Sequence, residues 1–152
     1  MQEGDKALDF ELQSSDGNII KLSSFKGQKN VVLCFYPKNH LFACPSKLVF
    51  KNAKSTIAAY PQILALDAAL FAISIDTAED QKKFVEEYQI PYLHLSDPKK
   101  VACKVYAGLN LAGLAKRSTF IVNKEGKIAK IFRNIDVDSH GNQIIETLKN
   151  LK

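Results

Sequence analysis

Val31-Val32-Leu33-Cys34-Phe35-Tyr36-Pro37 is the most informative run in the chain. Six apolar residues in a row, β-branched at the start and stopped by a proline that has no N–H for a ladder, read as a strand buried on both faces. Leu70-Phe71-Ala72-Ile73-Ser74-Ile75 is a second run of this kind. Between them, the segment from Cys44 to about Tyr60 carries Val49, Phe50, Ala53, Ile57 and Tyr60 at helical spacing, with Pro45 suited to a first-turn position. Strand, helix and strand in this order predict a parallel βαβ unit with Cys44 at the N-terminus of its helix.

The flanking sequence extends the pattern in both directions. Upstream, Asp9 to Leu12 and Ile19 to Leu22 bracket a Ser/Asp/Gly cluster and predict an N-terminal hairpin. Downstream, Thr77-Ala78-Glu79-Asp80 resembles a capping box opening a helix whose apolar face holds Phe84, Val85 and Tyr88. A short strand around Tyr92 to Leu95 leads to Asp97-Pro98, a cap and first-turn proline before a helix using Val101, Ala102, Val105 and Tyr106. Ser118 to Val122, the turn Asn123-Lys124-Glu125-Gly126 and Lys127 to Phe132 make a second hairpin, and a last helix buries Ile144, Ile145, Leu148 and Leu151. The expected fold is α/β and thioredoxin-like: a mixed central sheet with helices on both faces and an N-terminal β-hairpin, built as a single domain over residues 1–152.

Composition narrows the function. The 152 residues are 46% hydrophobic, enough for one continuous core. The formal charge of +5 comes from lysines scattered beside acidic residues, the pattern of a solvated surface and not of a nucleic-acid stripe. No run approaches the roughly 18 apolar residues of a membrane span, and the polar start lacks a secretory leader, so a cytoplasmic protein is expected. Three cysteines, Cys34, Cys44 and Cys103, are too few and too irregularly spaced for a disulfide framework or a zinc site, and no glycine loop suits a nucleotide. Neither a metal nor any other cofactor is expected.

Chemistry therefore centres on individual thiols. A thiol in the first turn of a helix meets the positive end of the macrodipole and unpaired N–H groups, both of which favour thiolate. Lowering a pKa of about 8.5 by two units takes roughly 2.7 kcal/mol, within reach of a helix terminus plus one cation. Cys44 as a small buried hydrophobe is the plainer alternative.

Phe35-Tyr36-Pro37, Phe42-Ala43-Cys44-Pro45 and Arg117-Ser118-Thr119-Phe120 together resemble the active-site segments of peroxiredoxins, the AhpC/TSA superfamily. The opening Gly4-Asp5-Lys6-Ala7, followed by Asp9-Phe10, and the overall length are similar to the bacterioferritin-comigratory (PrxQ) branch. The resemblance runs from about Gly4 to the C-terminus. It implies a thiol-dependent peroxidase in which the Cys44 thiolate attacks the O–O bond of hydrogen peroxide or an alkyl hydroperoxide and becomes a sulfenic acid. It further implies that Pro37, Leu41 and Ala43 shape the substrate site and that Arg117 and the Cys44 backbone N–H stabilise the leaving oxygen. An arginine that merely caps a strand start is the alternative for Arg117.

Two positions depart from the family pattern. Leu41 stands where a threonine or serine normally holds the peroxide, and leucine has no hydroxyl to offer. Lys47 stands where many relatives carry a glutamate that orients the arginine, and His40 lies in the same loop. The PrxQ-type resolving cysteine is absent because position 49 is Val49. Cys103 is the remaining candidate, expected to point away from its helix's apolar stripe and to be partly exposed, while Cys34 is expected to pack in the core. Without a resolving partner, the sulfenic acid would be reduced directly by a thioredoxin-like or small-thiol reductant. A dithiol oxidoreductase is disfavoured because Cys44-Pro45-Ser46-Lys47 lacks a second thiol. A degenerate peroxiredoxin acting as a redox-sensing or binding module remains the competing function, and the chain is expected as a monomer or homodimer.

Overall fold

The computed structural model describes residues 1–39, 49–51 and 53–151. Seven strands, β1 (Glu11–Ser14), β2 (Ile19–Lys21), β3 (Asn30–Phe35), β4 (Ala68–Ser74), β5 (His94–Ser96), β6 (Ser118–Val122) and β7 (Ile128–Phe132), form one sheet in the order β2-β1-β5-β4-β3-β6-β7. The two continuous apolar runs are central, as expected: β3 and β4 pair in parallel, β4 pairs in parallel with β5, and β6 closes antiparallel on β3. The N-terminal hairpin is also present, and it joins the main sheet because β1 pairs antiparallel with β5. The architecture is the mixed, thioredoxin-like sheet anticipated above.

Alternation along β3 sends Val31, Leu33 and Phe35 to one face and Val32, Cys34 and Tyr36 to the other. The second face is covered by helices α1 (Lys54–Ala65), α2 (Ala78–Tyr88) and α4 (His140–Lys149), which contribute Ile63, Phe84, Ile144 and Leu148. The first face is covered by the short helix α3 (Val101–Val105), the chain around Phe10 and the 3-10 turn Leu22–Phe25. Among the described residues, no helix is long and apolar enough to cross a membrane.

Local signals account for most boundaries. Thr77 caps α2 by accepting a hydrogen bond from the Asp80 N–H at 3.2 Å. Asn123 closes the β6–β7 turn by accepting from the Glu125 and Lys127 N–H groups, with Gly126 at φ +81°. The helix expected to run from Cys44 to about Tyr60 is divided: residues 49–51 are helical, Ala53 is in a turn, and α1 then continues beyond Tyr60 to Ala65 with Pro61 inside it. Its buried positions are Thr56, Ala59 and Ile63, while Ile57 and Tyr60 are half-buried.

The largest correction concerns α3. Ala102, Cys103 and Tyr106 are buried, whereas Val101 and Val105 are 52% and 45% exposed. Cys103 is fully buried, not partly exposed. Two neighbouring stripes of this segment are apolar enough to face the core, and the cap chooses between them. Lys100 precedes the helix with φ +61°, and the Asp97 carboxylate accepts hydrogen bonds from the Val101 and Cys103 N–H groups at 2.9 and 2.7 Å. That clamp turns the Ala102/Cys103/Tyr106 side inward.

Candidate active site

β3 ends at Phe35, and the register Phe35↔Ser118 puts the start of β6 beside it. Arg117, one residue before Ser118, thus lies at the end of β3 where Tyr36 and Pro37 leave the sheet. Pro37 and Arg117 are both half-buried. The sheet register thereby brings together two of the residues expected at the site. Cys44, Leu41 and Ala43, with His40 and Lys47, lie outside the described residues. The chain on either side is placed: Asn39 is buried just past the end of β3, and Val49 is buried against the helix-covered face.

Arg117 and Val49 line one cavity of about 60 Å³ on that face. Its floor is a row across four strands, since His94 pairs with Ala72, Ala72 with Cys34 and Cys34 with Thr119. Ala72 contributes only a methyl group between two longer neighbours, which leaves space. Ala53 and Thr56 line the cavity from the helical side. Cys34 packs against the core of this face, as expected, and, being half-buried, also lines this cavity. Burial pushes its thiol up to about 11, against the opposing pull of a Thr119 hydrogen bond and the Arg117 charge. Cys103 lies in the core of the opposite face, where burial and the Asp97 carboxylate hold its thiol protonated.

A histidine stands at each end of the row. His140 Nε2 is 2.7 Å from Thr119 Oγ1, and its Nδ1 is 3.1 Å from Gln143 Oε1. Burial, aided by Arg117, lowers its pKa, although the Gln143 hydrogen bond pulls the other way. His94 is 2% exposed, and burial pushes its pKa down to about 3. Its ring stacks on Tyr92, and its Nδ1 is 2.8 Å from the Tyr36 hydroxyl.

The surrounding hydrogen bonds fix the tautomer of His94. Gln81 Nε2 donates to the Leu95 carbonyl and Ser74 Oγ, so Gln81 Oε1 is the acceptor for Asn39 Nδ2 at 2.9 Å. Asn39 Oδ1 therefore faces the Tyr36 hydroxyl as an acceptor. The single Tyr36 proton is taken by this pair of amide oxygens, so His94 Nδ1–H donates to the phenol oxygen. The Nε2 lone pair is left without a partner. The same network holds the Asn39 backbone, whose N–H donates to Asp76 Oδ2 at 2.9 Å. Desolvation raises the Asp76 pKa above its ordinary value, although hydrogen bonds from Ser74 and Asn39 oppose it.

Sequence reasoning missed this network. Gln81, His94 and Asn39 are ordinary polar residues locally, and the one available signal was His94 and Ser96 interrupting an otherwise apolar segment. Among the described residues, no group of three or more His, Cys, Asp or Glu side chains suits a metal ion.

Comparison with known proteins bears on what this arrangement is. Residues 3–131 match the AhpC/TSA family. Peroxiredoxin Bcp of Bacillus subtilis is 32% identical over 157 aligned positions, covering 97% of this chain and 95% of the relative. The chloroplastic peroxiredoxin Q of Triticum aestivum is 30% identical over 154 positions, covering 99% of this chain and 68% of the relative. The crystal structure of peroxidoxin BcpB from Mycobacterium tuberculosis superposes with a TM-score of 0.84 at 28% identity, covering 100% of this chain and 99% of the other. The chain belongs to the AhpC/TSA family, as a peroxiredoxin of the Bcp/PrxQ type.

Proposed function

We propose that Cys44 is the thiol through which this thiol-dependent peroxidase reduces hydrogen peroxide or an organic hydroperoxide. The observation that carries this reading is the position of Arg117. The β3–β6 register puts Arg117 beside the end of β3, and Arg117 lines a cavity that also includes Val49, five residues beyond Cys44. The Cys44 thiolate attacks the terminal peroxide oxygen, the O–O bond breaks, and the second oxygen leaves as water or alcohol after taking a proton. Cys44 becomes a sulfenic acid. Charge grows on the departing oxygen during this step, and a preorganised guanidinium stabilises it. Pro37 and Ala43 shape the approach of the peroxide.

Leu41 removes one hydrogen-bonding hydroxyl from the site, which lowers the rate without removing the nucleophile or Arg117. A thioredoxin-like protein or a small thiol completes the cycle, consistent with a cytoplasmic setting. Steady-state peroxide consumption with a regenerating dithiol tests the assignment. Turnover that depends on Cys44, and is abolished by Cys44→Ser, is expected. Absence of turnover in the wild type, or turnover unchanged in Cys44→Ser, would overturn it.

A further inference from the structure

We propose that the far end of the sheet carries a second binding site, for a small organic anion with an apolar body. It is a cavity of about 270 Å³ lined by Lys6, Lys26 and Lys29 around an apolar floor. Val31, at the start of β3, and Val122, at the end of β6, pair with each other in that floor. Phe35, which marks the Arg117 end of β3, is four residues further on, about 13 Å along the strand. The two cavities also lie on opposite faces, because Val31 belongs to the core of the α3 side, and Cys34 and Val49 to the other.

Charge is the first observation that carries the proposal. Three lysines and one carboxylate, that of Asp9, line the cavity. None of these lysines is in an ion pair among the described residues, whereas Lys21, Lys83 and Lys124 each have a carboxylate partner. Asp9 is held by the backbone instead: its Oδ1 accepts from the Phe10 and Ser23 N–H groups at 3.0 and 2.8 Å. Ammonium groups gathered on one wall without counter-ions favour an anion. The floor is the second observation. Leu22, Val31 and Val122 are buried, and Ala7 and Phe25 are half-buried. That surface offers a bare inorganic ion nothing, and it suits an apolar body attached to the anionic group. A volume just under the roughly 300 Å³ of ordinary ligand pockets limits the body to a small ring system or a short chain.

The third observation is that the walls are tied to one another. The Ala7 N–H donates to the Gly126 carbonyl at 2.9 Å, the Gly27 N–H to the Lys124 carbonyl at 2.7 Å, and the Lys29 N–H to the Phe25 carbonyl at 3.0 Å. Lys6 also pairs with Lys127 in an antiparallel bridge. The N-terminal segment, the 3-10 turn and the β6–β7 turn are distant in sequence and form one rim before any ligand arrives. Gly126 contributes space: a Cβ there would lie 3.6 Å from the Lys26 stem. Pre-formed walls leave only the lysine side chains to be ordered on binding. Because the lysines are exposed, each ion pair adds little by itself, and affinity depends on the anionic group and the apolar body acting together.

Titration of the isotope-labelled full chain with 2-naphthoate, followed by amide chemical shifts, tests the site and does not depend on the peroxidase assignment. The expected result is saturable binding at one site, with the largest shifts at Ala7, Ser23, Lys26, Asn123 and Gly126. Uncharged 2-naphthalenemethanol and inorganic phosphate each supply half of the chemistry and should bind roughly tenfold more weakly or worse. Lys26→Gln and Lys29→Gln should each weaken 2-naphthoate binding roughly two- to fivefold. Lys83→Gln, at a lysine that pairs with Glu79 on α2, should leave it unchanged. Absence of saturation, shifts spread over the lysine surface, or shifts centred on Cys34 and Thr119 would overturn the proposal. So would affinity unchanged in both Lys26→Gln and Lys29→Gln, the neutral alcohol binding as tightly as 2-naphthoate, or phosphate doing so, which would mark an adventitious ion only.

Discussion

The two faces of the sheet hold similar amounts of apolar side chain and are built differently. On the face covered by α3, Phe10, Phe35, Tyr106 and Phe120 interlock, with Phe35 and Tyr106 stacked at 5.5 Å and Phe120 set edge-on to both. On the face covered by α1, α2 and α4, the aromatic packing of Tyr92 and Phe84 encloses a cavity, two neutral histidines and the Tyr36–Gln81–Asn39 network. Each face also holds one described cysteine: Cys103 is sealed in the first, and Cys34 opens into the second. The first face maintains the geometry. The second holds empty space and buried polar groups, and it is the face on which Arg117 lines the cavity.

The largest effect expected from this contrast is on stability. Phe35→Ala removes a fully buried ring from the tight face and should cost about 3–5 kcal/mol, read from chemical denaturation. The molecules that remain folded should consume peroxide at a normal rate. A strong loss of rate in the folded fraction would show that the two faces are not independent.

Arg117→Ala reverses the pattern. Removing one preorganised donor should slow peroxide reduction by about a hundredfold to a thousandfold, with little change in the denaturation midpoint because the residue is only half-buried. A rate within a few-fold of wild type would return Arg117 to the role of a strand cap.

What the sequence showed follows from the range of each interaction. The β3 and β4 runs, the Thr77 cap and the Asn123–Gly126 turn are short-range signals, and all were legible. The placement of Arg117 just before β6 was legible through the short segment Arg117-Ser118-Thr119-Phe120. Cys103 was misplaced because Asp97 and the left-handed Lys100 set the rotation of a five-residue helix, a choice that periodicity over so short a segment cannot make. Cys34 packs against the core as expected, and the cavity it also lines was not legible because the space beside it is made by Ala72, 38 positions away in sequence and one strand over. The Tyr36–His94 bond joins residues 58 apart, beyond any local pattern.

Two smaller effects sharpen the description of the functional face. Tyr36→Phe leaves two amide oxygens and a ring N–H without their shared partner, and should cost about 1–3 kcal/mol. Because Asn39 leads into the Cys44 segment, this variant should also slow peroxide reduction, whereas a purely structural network would leave the folded fraction at full rate.

The acid dependence of stability is the last. His94 has an ordinary pKa of 6.5 when unfolded and about 3 when folded, so between these values the unfolded chain binds more protons. Stability from His94 is therefore present above pH 6.5 and lost as pH falls toward 3, with a slope of at most about 1.4 kcal/mol per unit. The depressed His140 acts in the same direction, and the raised Asp76 in the opposite one. The difference in slope between wild type and His94→Leu isolates the His94 contribution. Parallel denaturation profiles between pH 7.5 and 5 would show that His94 ionises freely in the folded protein.

Everything proposed for the second face depends on Cys44 being an activated thiol. The most direct measurement is the rate at which fully reduced protein consumes one equivalent of hydrogen peroxide, followed in parallel for wild type and Cys44→Ser, with Cys34 and Cys103 intact in both. Consumption orders of magnitude faster than a free thiol of ordinary pKa, reduced to the background of the other two cysteines in Cys44→Ser, is the predicted result. A wild-type rate no faster than a free thiol, or a rate that survives Cys44→Ser, would contradict the account.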